Sequence, residues 1–181
     1  RIAFTELERA AADEIVVQEA NDLAELTRTL AVFLRDDPEG GRRGQALVAA
    51  LLDLGHEEVH LSPINDPTGI DVSLTDEGRL LLAVEVKQKA VDESVALHTA
   101  GRAASNGADK ALLVALASDQ RPLDRERVRK QAAERHGVTL SVWEGVEELV
   151  SEVALQAPLS ASEIAREFPG VYLRRMREHD V

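Results

Sequence analysis

The sequence predicts an α/β protein built on a mixed sheet, with helical additions at both ends. Three observations carry that prediction. Before residue 55 the apolar positions keep the three- and four-residue spacing of helices with one buried face. From residue 57 the period shortens to strand-like alternation. Beyond residue 92, helical segments and short apolar segments alternate, the order from which layered α/β sheets are built.

Residues 4–35 read as one long helix or two shorter ones, with Leu23, Leu26, Leu30 and Phe33 on one face. The 36–41 segment, with Pro38 and paired glycines, breaks that pattern and is the best candidate boundary. A helix is expected over 42–54, turning Ala46, Leu47, Ala50, Leu51 and Leu54 inward and stopping at Gly55. Segments 57–61 and 70–74 read as short strands, and 75–78 as a tight turn into a third strand over 79–87. That third strand contains Leu80-Leu81-Leu82-Ala83-Val84, apolar on both faces, as a central strand requires. Asp92 is placed to cap a helix running to about residue 105. A buried strand over 110–117, a helix over 123–136, a strand over 138–143 ending in a core Trp143, and a helix over 144–155 follow. Ser160-Ala161-Ser162-Glu163 has the form of a capping box, opening a short helix to Phe168, with a further helix expected over 171–177. The division expected is therefore an N-terminal helical extension (1–41), a core (42–157) and a C-terminal helical tail (158–181).

Composition narrows the function classes. The 181 residues suffice for one compact domain, and aromatics at 3% leave Ala, Leu and Val to build the core. Without cysteine there are no disulfides, thiolate metal sites or cysteine nucleophiles, which fits a reducing cytoplasm. No apolar run approaches the length of a membrane span, and no leader peptide is visible. The net charge of −12 argues against a protein that coats nucleic acid nonspecifically, but the charge is unevenly spread. Residues 1–40 carry ten acidic and four basic side chains, while 121–135 carry six basic and three acidic. Arg42, Arg43, Lys89, Arg125 and Arg129 are the candidate phosphate contacts, against the plainer reading of each as part of a solvated face. Gly40-Gly41-Arg42-Arg43-Gly44 lacks the Lys-Ser/Thr ending of a phosphate-binding loop, so no nucleotide cofactor is expected. His56, His60, His98, His136 and His179 show no metal-ligand spacing.

The chemistry concentrates in Gly69-Ile70-Asp71 and Ala83-Val84-Glu85-Val86-Lys87. Strand alternation puts Glu85 and Lys87 on one face and Val84 and Val86 on the other. If the hairpin pairs as read, Asp71 approaches Glu85. Two carboxylates brought together out of water repel each other, and a divalent cation with hard oxygen ligands relieves both burdens. Lys87 adds a point charge able to orient a water or a phosphate oxygen. Such a site can hydrolyse a phosphate ester. A lone Glu-x-Lys on a strand is more often an exposed ion pair, so the apolar strand and the preceding Asp carry the argument.

These residues, in this order of elements, resemble the PD-(D/E)xK nuclease superfamily over about residues 42–143. Within it, the 42–150 segment is similar to type II restriction endonucleases, and Glu85-Val86-Lys87-Gln88-Lys89-Ala90-Val91 suggests the SacI-like group. The resemblance implies a restriction-endonuclease-like three-layer core with a central mixed sheet. It implies Asp71 and Glu85 as Mg²⁺ ligands (Mn²⁺ as a substitute), the Val86 carbonyl as a further donor, and Lys87 beside the attacking water. Ile70 stands where the family writes Pro. Gln45 stands where many relatives carry a helix Glu, and is either a weak ligand or a plain surface residue. The expected activity is cleavage of double-stranded DNA by a homodimer, one subunit per strand. The alternatives are a nuclease fold that binds nucleic acid or a protein partner without cutting, and cleavage of a junction, flap or RNA.

Overall fold

A computed structural model describes residues 22–35, 41–63 and 66–178. Expectations for residues 1–21 and 36–40, including most of the N-terminal extension and the candidate boundary, lie outside the described residues, as does His179. Among the described residues the order is α1 (Leu23–Arg35), α2 (Arg42–Asp53), β1 (Val59–Leu61), β2 (Val72–Asp76), β3 (Arg79–Lys87), α3 (Glu93–Ser105), β4 (Lys110–Ala115), α4 (Arg125–His136), β5 (Thr139–Glu144), α5 (Gly145–Gln156) and α6 (Ala161–Glu178).

The five strands lie in sequence order, with β1, β2 and β3 antiparallel and β3, β4 and β5 parallel. The sheet is thus mixed, as the alternation of elements predicts. Asp76 pairs with Arg79 across a two-residue turn in which Glu77 and Gly78 have φ of 48° and 77°. Two left-handed residues define the turn whose twist suits a hairpin. Parallel pairing then requires crossovers, supplied by α3 and α4.

Alternation along β3 divides the core in two. Val84 and Val86 pack with Leu112 and Val114 beneath α1, α2, α5 and α6. Ala83 packs with Leu113, Ala115, Leu140 and Val142 beneath α3 and α4. Helices therefore cover both faces, giving three layers. Small residues on α3 (Ala96, Ala100 and Ala103, all buried) let that helix lie close to the sheet.

Several expectations are corrected. The segment expected as a strand over 70–74 is Val72–Asp76, because at Asp71 the side chain takes over a backbone role described below. The first strand begins at Val59 and the fourth ends at Ala115, each shorter than expected. The two helices expected after Ser160 are one, with Pro169 inside it. The capping box itself is present: Ser160 N–H donates to Glu163 Oε2 at 2.8 Å. An internal proline costs about 3 kcal/mol, and tertiary contacts offset it here. Phe168 and Tyr172 stack at 5.8 Å, fully buried, and Phe33 of α1 meets Tyr172 edge-on at 5.8 Å. One helical turn further on, Arg175 clamps α6 to α2, donating from Nε to Asp53 Oδ2 at 2.7 Å and from Nη2 to the Val59 carbonyl at 2.8 Å. Trp143 is only partly buried against the core.

Candidate functional site

The site sits where β2 begins and β3 ends. The last β2–β3 pair at this end is Val72 opposite Val84, which leaves Asp71 one residue before it on one strand and Glu85 one residue after it on the other. Asp71 lies just outside the regular ladder: its own N–H still donates to the Val84 carbonyl at 3.0 Å. Its side chain replaces the next backbone acceptor, Oδ2 accepting the Val86 N–H at 2.7 Å. The other oxygen, Oδ1, accepts from Gln45 Nε2 of α2, also at 2.7 Å. In a strand the N–H and C=O of one residue point to the same edge, so the Val86 carbonyl faces the Asp71 side as well.

Glu85 is the most deeply buried carboxylate of the set, at 4% exposure. Its Oε1 meets Lys87 Nζ at 2.7 Å and Arg102 Nη1 at 3.1 Å, while Oε2 accepts from Thr99 Oγ1 at 2.8 Å. Thr99 and Arg102 are one turn apart on α3, so both reach the same strand face. Arg102 Nη1 also donates to the Gly69 carbonyl at 3.3 Å. Gly69 has φ of 68°, and a Cβ built there would lie 2.7 Å from the Arg102 guanidinium carbon. A glycine at this position lets the loop close over the arginine.

The electrostatics follow from this geometry. Burial pushes the Asp71 carboxyl above its ordinary value; the Val86 N–H and the Lys87 charge pull it down, and the Glu85 charge pushes it up again. Asp71 is thus a partly desolvated anion beside a second anion, with too little compensation. Gln45 Oε1, next to it, is buried with no hydrogen-bond partner. An under-compensated carboxylate and an orphaned oxygen in one place are what a hard cation, which prefers oxygen donors, can satisfy. Among the described residues no three His, Cys, Asp or Glu side chains form a metal-binding group. This site offers two carboxylates, with uncharged oxygens beside them.

The remaining candidates divide. The first turn of α2 abuts the segment after β3, since a Cβ at Gly44 would meet the Gln88 side chain at 3.1 Å. That contact brings Arg42, Arg43 and Gln45 to the same end of the sheet as Lys87. Arg43 stacks over the Phe33 ring at 4.5 Å, and Lys89 is exposed two residues beyond Lys87. Arg125 and Arg129 are elsewhere, in a groove along β5, two strands from β3. The Arg125 guanidinium is taken up by Glu144 and Glu148, with Nε to Glu144 Oε2 at 2.9 Å and Nη2 to Glu148 Oε2 at 2.7 Å.

Sequence reasoning missed Thr99 and Arg102. The available signal was a threonine inside the alanine face of α3, one turn before an arginine. It also missed Gln120, whose amide accepts the Val91 N–H at 2.8 Å and donates to the Val91 carbonyl at 3.1 Å. This tie pins the segment that leaves Lys87 to the loop after β4.

No family model matches the chain. It is 30% identical over 178 residues to the type II restriction enzyme SacI of Streptomyces achromogenes. That match covers 96% of this chain and 48% of the enzyme, so the chain spans about half the length of the curated relative. No helix among the described residues is long and apolar enough to cross a membrane. That identity is held along nearly the whole of this chain, which is therefore similar to about half of a type II restriction enzyme.

Proposed function

We propose that this chain carries a Mg²⁺-dependent endonuclease site of the PD-(D/E)xK type, hydrolysing phosphodiester bonds in double-stranded DNA. The setting proposed is a type II restriction system in the cytoplasm, with a homodimer cutting both strands and residues 42–157 as the nuclease core. The observation that carries this reading is the convergence of Asp71, Glu85 and Lys87 at one end of two paired strands, beside an orphaned Gln45 oxygen.

When bound, Mg²⁺ would be held by Asp71 and Glu85, with the Val86 carbonyl and Gln45 Oε1 as weaker donors, and would neutralise charge building on the phosphate oxygens. The chain's own groups do the rest. Lys87, which shares Glu85 Oε1 with Arg102, would turn its ammonium to the attacking water or a phosphate oxygen while Arg102 keeps its hold on Glu85. Thr99 and Arg102 fix the Glu85 carboxylate against rotation, and the Val86 N–H fixes that of Asp71. Positioning of this kind matters because small misplacements at a reacting centre cost large factors in rate. The test is incubation with long duplex DNA and Mg²⁺. The parent chain is expected to cut, and Glu85→Ala and Lys87→Ala are expected not to. Failure of the parent to cut under any condition counts against the reading.

One observation favours a second reading, a nuclease fold that binds nucleic acid or a protein partner without cutting. Glu85 already has Lys87, Arg102 and Thr99, so its charge is compensated without a cation. Calorimetric titration with Mg²⁺ separates the two: binding that disappears in Asp71→Ala supports the enzyme, and no binding supports the alternative. A panel of RNA, flap and junction substrates tests whether the chemistry acts on something other than duplex DNA.

A further inference from the structure

The C-terminal ends of β3, β4 and β5 share one edge of the sheet, and a groove of about 870 Å³ opens along it beside the candidate site. The groove starts one strand from Lys87: Leu116, which lines it, donates its N–H to the Lys87 carbonyl at 2.7 Å. One wall is α1, presenting Arg28 and Arg35; the other is the start of α5, with Gly145 and Glu147; the buried Leu116 and Ala117 also line it. We propose that this groove receives the sugar–phosphate backbone of the duplex as it leaves the cleavage site, with Arg28 and Arg35 each on a phosphate. The proposal rests on the nuclease reading and extends it to residues that neither the motif nor the basic clusters single out.

Four features support the assignment. Arg28 and Arg35 are exposed, and neither has an ion-pair partner among the described residues, although the chain carries a net charge of −12. Unpaired guanidinium groups amid so many acids are available to an outside anion, and their planar forks match phosphate. The two are seven residues apart on one helix, about 10.5 Å along its axis at 1.5 Å per residue. This corresponds to about three base-pair steps at 3.4 Å each. Between and beside them α1 offers Ala24, Thr27 and Ala31, small side chains that leave room for a backbone to lie close. Lastly, the acid nearest the sheet in this groove, Glu144, is cancelled by Arg125. Glu147 remains, and it sets the track against the α1 wall.

The test is fluorescence anisotropy of a labelled random-sequence duplex titrated with the full chain in Ca²⁺, repeated over a range of salt. Arg28→Gln/Arg35→Gln is compared with the parent and with Arg79→Gln/Lys110→Gln, which removes two cations at the opposite end of the sheet. The slope of log affinity against log salt is expected to become shallower by about 2 in the groove variant, close to one per lost phosphate contact. It should stay near the parent value in the control variant. Weakening should be equal on unrelated duplex sequences, and Arg28→Lys/Arg35→Lys should restore most of the slope. An unchanged urea midpoint checks that the groove variant is folded. If the parent binds duplex and the groove variant keeps the parent slope, the groove assignment is wrong and the nuclease reading survives. If the parent binds no duplex at all, both fall together.

Discussion

Asp71→Asn alters one group in the candidate site and is expected to move stability and metal binding in opposite directions. The amide is isosteric with the carboxylate, so its oxygen can still accept the Val86 N–H now bonded at 2.7 Å. Its nitrogen faces Gln45, where a flip of the Gln45 amide presents the orphaned Oε1 as an acceptor. The flip puts Gln45 Nε2 where Oε1 had no partner, so both hydrogen bonds are kept and the change that remains is loss of the anion beside Glu85. Because a desolvated carboxylate costs more than an amide making the same bonds, metal-free stability should rise by roughly 1 kcal/mol at neutral pH. For a chain of this length that is about 2–4 °C in Tm per kcal/mol. The effect should depend on pH. Because burial raises the Asp71 carboxyl above its unfolded value, the folded parent binds its proton more tightly than the unfolded chain does. Parent stability therefore declines as pH rises through the interval between the two values, and the variant lacks that decline. Urea unfolding with EDTA and with Mg²⁺, at several pH values, measures all of this. Loss of stability in the metal-free variant, or an undiminished stabilisation by Mg²⁺, would refute the reasoning.

Three further substitutions probe the supports of the site and fold. Asp53→Ala leaves Arg175, at 9% exposure, without its main partner, and should cost about 3–5 kcal/mol in chemical denaturation, as buried ion pairs do when one side is removed. Gly69→Ala forces a left-handed residue, at about 1–2 kcal/mol, and a methyl group into the Arg102 guanidinium. It should therefore lower both the unfolding midpoint and Mg²⁺ affinity, whereas an effect on stability alone would show that Arg102 has no part in holding Glu85. Gln120→Ala removes both bonds to Val91, so amide exchange at Val91 should quicken while α3 keeps its protection.

Much of the architecture is legible in the sequence because it is written in local terms. The apolar run of β3, the Asp92 cap, the Ser160 box and the two-residue hairpin each depend on neighbours in the chain. So does the pairing of Glu85 with Lys87, which needs only strand alternation. What escapes is decided between distant segments. Pro169 marks a helix break locally, and only the burial of Phe168 and Tyr172 and the Arg175–Asp53 clamp keep α6 continuous. Arg125 belongs to a basic stretch in sequence, but its partners Glu144 and Glu148 arrive from another strand and helix. Thr99 and Arg102 look like ordinary helix residues until β3 is laid against α3.

The account turns on whether one cation can join Asp71 to Glu85. Anomalous diffraction from crystals soaked with Mn²⁺ measures this directly. The expected result is a single strong peak bonded to both carboxylates, with Lys87 or Arg102 drawn back from Glu85. A peak only on the acidic surface, or none, with Glu85 still held by both cations, would contradict it.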